Sequence, residues 1–475
     1  MKTEKSRIIL LLCLIIILGG LLRFHQLGQE SLWTDEIISL KHTQYKFAEL
    51  IKSVTVTELT PPGYFIFLSY WVKIFGDSEF SLRAPSAILD TLSIAIIFLI
   101  GSRLFNRTIG IILALLLSTM MVQIVYAQEA RMYAAFGFLS LLSTLFLIEY
   151  YQNRRSKYKL FYIMSMAVSI YINYMALFLI LFQFLAILHT RNRIFLKDFL
   201  LNISIILLLF AAGVRILITQ GILRNNALKK VLIPWGIPPA LSKLGIIFFL
   251  LPLLVLIILG IIIFIIYKKS NYLNYKRSLI FGSLFYIIAG TIYLVFLDRF
   301  TRSFSLVRHS FFILPIFYLC LALLINNIRT KRIKSLVIII ILLTNVITLA
   351  YYYQKTTKAP WNEAIIYIKN NSPVETLILF DRSGSNIDLF KYYYNGDFRS
   401  LNLTSTKSGT LYYINEHKLF KKLEKEKTFW LISSRNIETK DYYVKILNEK
   451  YKLLLSQKYP EMDVYYFSAN NPRIS

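Results

Sequence analysis

Three groups of polar residues stand out in this chain by type and spacing. Asp35 and Glu36 are adjacent in SLWTDEIISL (31–40). Gln128, Glu129 and Arg131 fall in YAQEARMYA (126–134). Arg299, Arg302, Arg308 and His309 punctuate DRFTRSFSLVRHSFFILP (298–315). A carboxylate can take a proton from an acceptor hydroxyl. A guanidinium stays charged and matches a phosphate through paired N–H groups. Held on one face of a membrane, such a set suits chemistry on a lipid-linked phosphate. Each group also has a plain structural alternative. Asp35 can be a loop acid or a helix cap. Glu129 and Arg131 can be a surface pair worth about 0–1 kcal/mol. Arg302 and Arg308 can be snorkelling anchors.

The elements that must position these residues are membrane helices. Of 475 residues, 56% are hydrophobic and 17% charged, and the mean hydropathy is +0.55. RIILLLCLIIILGGLL, LSIAIIFLIGSRLF and LLVLIILGIIIFIIY are apolar on every face, which a soluble core helix does not need and a spanning helix does. The N-terminus, MKTEKSR before an apolar run followed by Arg23 and Phe24, reads as an uncleaved first span rather than a signal peptide. Cys13 and Cys320 sit in separate apolar runs and suggest neither a disulfide framework nor a zinc site.

The pattern predicts a polytopic α-helical protein with about eleven spans. They lie near 8–24, 84–102, 108–126, 132–150, 159–172, 174–190, 198–219, 242–267, 278–297, 309–326 and 334–353. A cytoplasmic N-terminus puts the basic clusters inside: Arg103 and Arg107; Arg154, Arg155, Lys157 and Lys159; Arg191, Arg193 and Lys197; Lys268, Lys269, Lys276 and Arg277; Arg329, Lys331, Arg332 and Lys334. That agrees with the positive-inside rule. It also accounts for most of the basicity of the membrane part without nucleic acid, despite a net charge of +28. The first external loop, 25–83, then holds seven acids against five bases. PPGYFIFLSYWVKIF (61–75) is apolar but short. Counting it as a span inverts every later loop, so it reads as an interfacial or re-entrant helix opened by two prolines.

The membrane part is expected over 1–353. Beyond it, TLILFD (376–381), TFWLISS (428–434) and DVYYFS (463–468) read as strands between helical patterns. They predict a small α/β domain over 354–475, placed outside by the odd span count.

Together WTDE (33–36), TPPGYF (60–65), FGDSEFSLRAPSA (75–87), YAQEARMYA (126–134), RHSFFILP (308–315) and KAPWNEAIIYIKNNSPVETLILFD (358–381) resemble the GT-C membrane glycosyltransferases, especially the glycosyltransferase family 39-like group of protein O-mannosyltransferases and aminoarabinose transferases. The resemblance implies an enzyme of the cell (plasma) membrane with an extracytoplasmic C-terminal domain. It would move a monosaccharide from a polyprenyl-phosphate donor to an acceptor hydroxyl of a lipid, glycan or protein, with inversion. It gives the base role to Asp35, with Glu36 as second choice, and donor-phosphate binding to Arg131 and Arg308, with Arg83 behind them. Glu129, Tyr133, Tyr64 and His309 are expected to line the substrate cavity. Two departures stand out. Thr60 replaces a lysine common before the two prolines, so Arg302 is a candidate for the missing phosphate contact. His309 stands where tyrosine is common. Related oligosaccharyltransferases use a metal and a second acidic motif near the QEAR position, where only Glu129 is available here. No obligatory cofactor is therefore expected, with a divalent metal as the alternative. The competing functional readings are a lipid-linked sugar flippase or transporter, which predicts repeated halves and broken midplane helices, and a non-catalytic scaffold.

Overall fold

A computed structural model describes residues 2–190, 192–232, 314–354, 356, 358–373, 375–381, 385–407, 410–434 and 437–469. They divide into two compact units, Met1–Leu27 with His42–Tyr351, and Gly28–Lys41 with Tyr352–Ser475.

The first unit is helical. Its elements in chain order are α1 (Lys2–Phe24), the last residues of α2 (Thr34–Thr43), α3 (Phe47–Thr57), α4 (Gly63–Phe75), α5 (Glu79–Leu104), α6 (Arg107–Thr119), α7 (Met121–Ala127), α8 (Tyr133–Asn153), α9 (Ser156–Ile172), α10 (Ala176–His189), α11 (Arg193–Leu209), α12 (Ala211–Leu232), α13 (Leu314–Asn327) and α14 (Lys331–Gln354). Among the described residues, four helices are long and apolar enough to cross a membrane, or up to six if each of two bent pairs counts as one span. Leu10, Leu14, Ile17 and Leu21 of α1 are exposed, a surface that suits lipid rather than water. The chain is an integral membrane protein. The expected spans 242–267 and 278–297 lie outside the described residues, as does the start of 309–326.

Local chemistry sets the helix boundaries. Asn106 caps α6 by accepting the Ile109 N–H at 2.9 Å. α5 and α6 then pack closely, because a Cβ on Gly101 would lie 2.9 Å from the Gly110 Cα. The core between them holds Ile94, Ile97, Ile112, Leu113 and Leu117, closed by Tyr318 and Ala322 of α13. α4 has 13 residues and falls among the apolar helices too short to span. Gly63 is needed at its start, since a Cβ there would sit 2.5 Å from the backbone oxygen of Tyr171.

Two expected straight spans are broken. Residues 108–126 form α6 and α7, bent by 60°, with Met120 extended between them. The physical cause is Arg23. Its Nη2 donates to the Leu117 carbonyl at 2.9 Å and its Nη1 to that of Ser118 at 3.2 Å, satisfying groups that a break leaves without helical donors. The Arg23 side chain is fully buried, and its Nε pairs with Asp90 Oδ2 at 2.6 Å. Gln123 of α7 donates to the other carboxylate oxygen. Likewise 198–219 becomes α11 and α12, bent by 67°. There the Tyr171 hydroxyl donates to the Leu209 carbonyl at 3.0 Å.

The second unit adds α15 (Trp361–Asn371), β1 (Leu377–Phe380), α16 (Ser385–Tyr394), β2 (Ser400–Asn402), β3 (Thr404–Lys407), β4 (Thr410–Tyr413), α17 (Glu416–Leu423), β5 (Thr428–Ser434), α18 (Ile437–Asn448), β6 (Tyr451–Tyr459) and β7 (Met462–Ala469). Five strands form one sheet in the order β2-β1-β5-β7-β6, with β3 and β4 a separate antiparallel pair. β1 runs parallel to β2 and β5, while β7 is antiparallel to β5 and β6. Leu379, Phe429, Leu431 and Phe467 from the sheet meet Leu419, Leu423, Tyr443 and Leu447 from the helices. α15 buries Trp361, Ala364, Ile365 and Ile368, one stripe at helical spacing. The segment 28–41, expected as part of the first loop of the membrane domain, groups with this unit.

Candidate active site

In the second unit, the acidic pair opens α2. Glu36 is fully buried, and its Oε2 accepts the Trp33 backbone N–H at 3.3 Å. This is the carboxylate half of a capping box, which fixes the direction of the first turn. The same oxygen lies 3.2 Å from the Lys358 ammonium. Asp35, one residue earlier, is half-buried, and its carbonyl accepts the Ser39 hydroxyl at 2.9 Å. The Ser31 hydroxyl donates to Asn362 Oδ1 at 2.8 Å and accepts the Asn362 N–H at 3.3 Å. The Leu32 N–H donates to the Tyr393 hydroxyl at 2.7 Å. A carboxylate held within a helix first turn and partly open to its surroundings can act as a proton acceptor.

In the first unit, Arg131 meets Glu58. Arg131 Nη1 and Nη2 lie 3.4 and 3.2 Å from the two Glu58 carboxylate oxygens. Both side chains are nearly buried, at 7% and 11% exposure. The guanidinium also covers the Phe65 ring at 5.7 Å. His42 Nε2 is 3.8 Å from Glu58 Oε1, and the His42 ring meets Phe65 edge-on at 4.9 Å. Burial pushes the Glu58 carboxyl up, but His42 and Arg131 together outweigh it and hold the group below its ordinary value. Glu58 ends α3, its N–H bonded to the Val54 carbonyl at 2.9 Å. The turn that follows is tied to α12. Gln220 donates to the Thr60 carbonyl at 3.1 Å and accepts the Tyr174 hydroxyl at 2.8 Å.

The turn carrying Arg131 is itself braced. Gln128 donates to the carbonyls of Arg23 and His25 at 3.0 and 2.7 Å. Glu129 is half-buried beside it. Tyr133 is buried and meets Tyr126 edge-on at 5.1 Å. Tyr64 is buried against Phe65 at 5.7 Å. Arg83 is 1% exposed and donates to the Leu27 carbonyl at 2.9 Å. The structure therefore brings Arg131, Phe65 and Glu58 together, and separately ties Glu36 to Lys358. Arg302, Arg308 and His309 lie outside the described residues. Among the described residues, no three His, Cys, Asp or Glu side chains group closely enough to hold a metal ion.

Glu58, His42 and Lys358 are the members that sequence reasoning passes over. Glu58 counts there only as one of seven loop acids. Its position two residues before TPPGYF is the only local signal.

Comparison with known proteins adds to this geometry. Residues 60–216 match the family model described as dolichyl-phosphate-mannose-protein mannosyltransferase. No curated protein sequence matches the chain significantly. Among solved structures, ArnT from Cupriavidus metallidurans bound to undecaprenyl phosphate aligns with a TM-score of 0.58 at 11% identity, covering 96% of this chain and 97% of that one. ArnT in the apo state gives a TM-score of 0.55, also at 11% identity, with 98% of each chain covered. The archaeal oligosaccharyltransferase AglB from Archaeoglobus fulgidus, in complex with an inhibitory peptide and a dolichol-phosphate, gives 0.52 at 11% identity over 97% of this chain and 74% of that one. The chain thus contains a segment similar to the protein mannosyltransferases and has the fold of the GT-C membrane glycosyltransferases.

Proposed function

We propose that this protein is an inverting glycosyltransferase that moves a monosaccharide from a polyprenyl-phosphate donor to an acceptor hydroxyl at the extracytoplasmic face. The observation that carries the reading is Arg131. It is a buried guanidinium, held by Glu58 at the end of a braced turn, inside the segment that matches the mannosyltransferase model. The lipid phosphates named for ArnT and AglB support the donor class.

In this reaction the acceptor oxygen attacks the anomeric carbon as Asp35 receives its proton. The bond from that carbon to the phosphate oxygen breaks, and its electron pair leaves with polyprenyl phosphate. A phosphate is a good leaving group, so the step needs charge stabilisation more than a strong acid. Arg131 supplies positive charge, with Arg308, Arg302 and Arg83 as further donors of it. Glu129, Tyr64, Tyr133 and His309 shape the substrate cavity. No metal is required by this chemistry; a divalent ion remains the alternative for the same charge. The placement of the basic loops supports a cytoplasmic N-terminus and an extracytoplasmic 354–475 segment.

The test is transfer by the reconstituted protein of radiolabelled sugar from a polyprenyl-phosphate donor to membrane extract. Wild type transfers, and Asp35→Asn inserts normally but does not. Full transfer by Asp35→Asn refutes the role of Asp35. Lipid movement without covalent transfer by wild type replaces the enzyme with a flippase.

A further inference from the structure

We propose that Lys358 is a positioning residue for the acidic motif. By pairing with Glu36 it fixes the first turn of α2, and with it the carboxylate of Asp35. The inference rests on the reading of Asp35 as the base for the acceptor.

Residues 31–41 are tied to residues 358–393 at four places: Ser31 to Asn362, Leu32 to Tyr393, Glu36 to Lys358 and Lys41 to Asp388. These ties differ in kind. Lys41 and Asp388 are 48% and 29% exposed, so water and salt screen the pair and it holds little. Glu36 and Lys358 are 0% and 12% exposed. A pair so withdrawn from water cannot lose one partner cheaply.

Glu36 Oε2 also accepts the Trp33 N–H, so one oxygen joins the cap of α2 to Lys358. Without the ammonium, Glu36 loses a buried charge partner and its hold on the cap weakens. The cap then opens and the first turn, which contains Asp35, loses its direction. A general base must lie within hydrogen-bond reach of the proton it removes. Loosening its support therefore lowers turnover more than donor binding. The adjacent acids divide the work, Glu36 fastening and Asp35 reacting.

The test uses the full chain in liposomes with undecaprenyl phosphate carrying tritiated mannose, and membrane extract as acceptor. Lys358→Met is expected to lower kcat by roughly 30-fold or more while donor KM stays within about twofold. Lys358→Arg, which keeps the charge, recovers most of the loss. In parallel, hydrogen exchange of the peptide covering residues 30–38 accelerates by about tenfold or more in Lys358→Met, with β1 and β5 unchanged. Wild-type kcat in Lys358→Met, or unchanged exchange at residues 30–38, overturns the proposal. If wild type transfers no mannose but exchange responds as stated, mannose is excluded as the donor sugar and the positioning of the motif stands. If Lys358→Met loses protection throughout, Lys358→Arg decides: folded and active supports the proposal, folded and inactive overturns it.

Discussion

Glu58 and Arg131, 73 residues apart, meet through both guanidinium Nη atoms and both carboxylate oxygens, with the Phe65 ring against the cation. The pair helps to fix the direction of a guanidinium carried on a long side chain. It also means that the Arg131 guanidinium is already engaged and already oriented.

The pair should therefore behave as a unit. Glu58→Ala and Arg131→Ala are each expected to lower thermal stability. The double variant should lose less than their sum, with a coupling of about 1–3 kcal/mol. Melting of the purified protein in detergent checks this, and additive losses refute it.

The Glu58 carboxyl also sets a pH dependence. Its folded value lies below its ordinary value of 4.5, so the pair stabilises the fold fully above pH 4.5 and loses that contribution as pH falls through the lower, folded value. The melting difference between wild type and Glu58→Gln should be large at neutral pH and shrink steadily in acid. A difference that grows on acidification contradicts the pairing.

At the acidic motif, Asp35→Asn and Glu36→Gln should separate. The first is expected to remove transfer by about 100-fold or more with little change in melting. The second should lower melting and accelerate exchange at residues 30–38. Equal behaviour of the two variants in both assays shows that the adjacent acids do not divide the work.

The break between α6 and α7 makes a prediction about packing. Arg23→Met leaves Asp90 with a buried, uncompensated charge and strips a donor from the Leu117 carbonyl. It should cost about 3–5 kcal/mol and sharply reduce yield. Arg23→Met with Asp90→Leu should regain part of the loss, as measured by melting. No recovery indicates that the carbonyl contacts, rather than the ion pair, hold the bend.

Gly63 offers a steric test. Gly63→Ala brings a Cβ to 2.5 Å from a backbone oxygen, and neither α4 nor the end of α9 can yield by rotating a side chain. A loss of about 1–3 kcal/mol is expected, read as a lowered melting temperature. An unchanged melt shows that the two helices slide apart freely.

Much of this was legible in residue order. Long apolar runs announce α1, α5, α8 and α14 because a spanning helix must be apolar over a fixed length. The brevity of 61–75 separates α4 from them. TLILFD, TFWLISS and DVYYFS coincide with β1, β5 and β7, whose buried faces demand continuous apolar residues. β6 passed unseen because it lies at the sheet edge, and lysines interrupt YKLLLSQKY as they do many exposed edges. The bends at Met120 and Phe210 were invisible for another reason. No proline or glycine marks the break itself; each break's freed carbonyls are met by a side chain from a distant helix, Arg23 or Tyr171. Arg131 was legible by type and motif, whereas its partner Glu58 looks like any loop acid until the fold brings the two together.

The fastening of Glu36 to Lys358 also has a consequence in time. Their 322-residue separation takes a ribosome roughly half a minute to traverse at typical synthesis speeds. The motif therefore emerges long before its anchor exists. Truncation before Lys358 should leave residues 28–41 open to protease, and synthesis through Tyr393 should close them. The first turn of α2 is thus fastened late in the protein's biogenesis, after helices such as α1, α5 and α8 have been made.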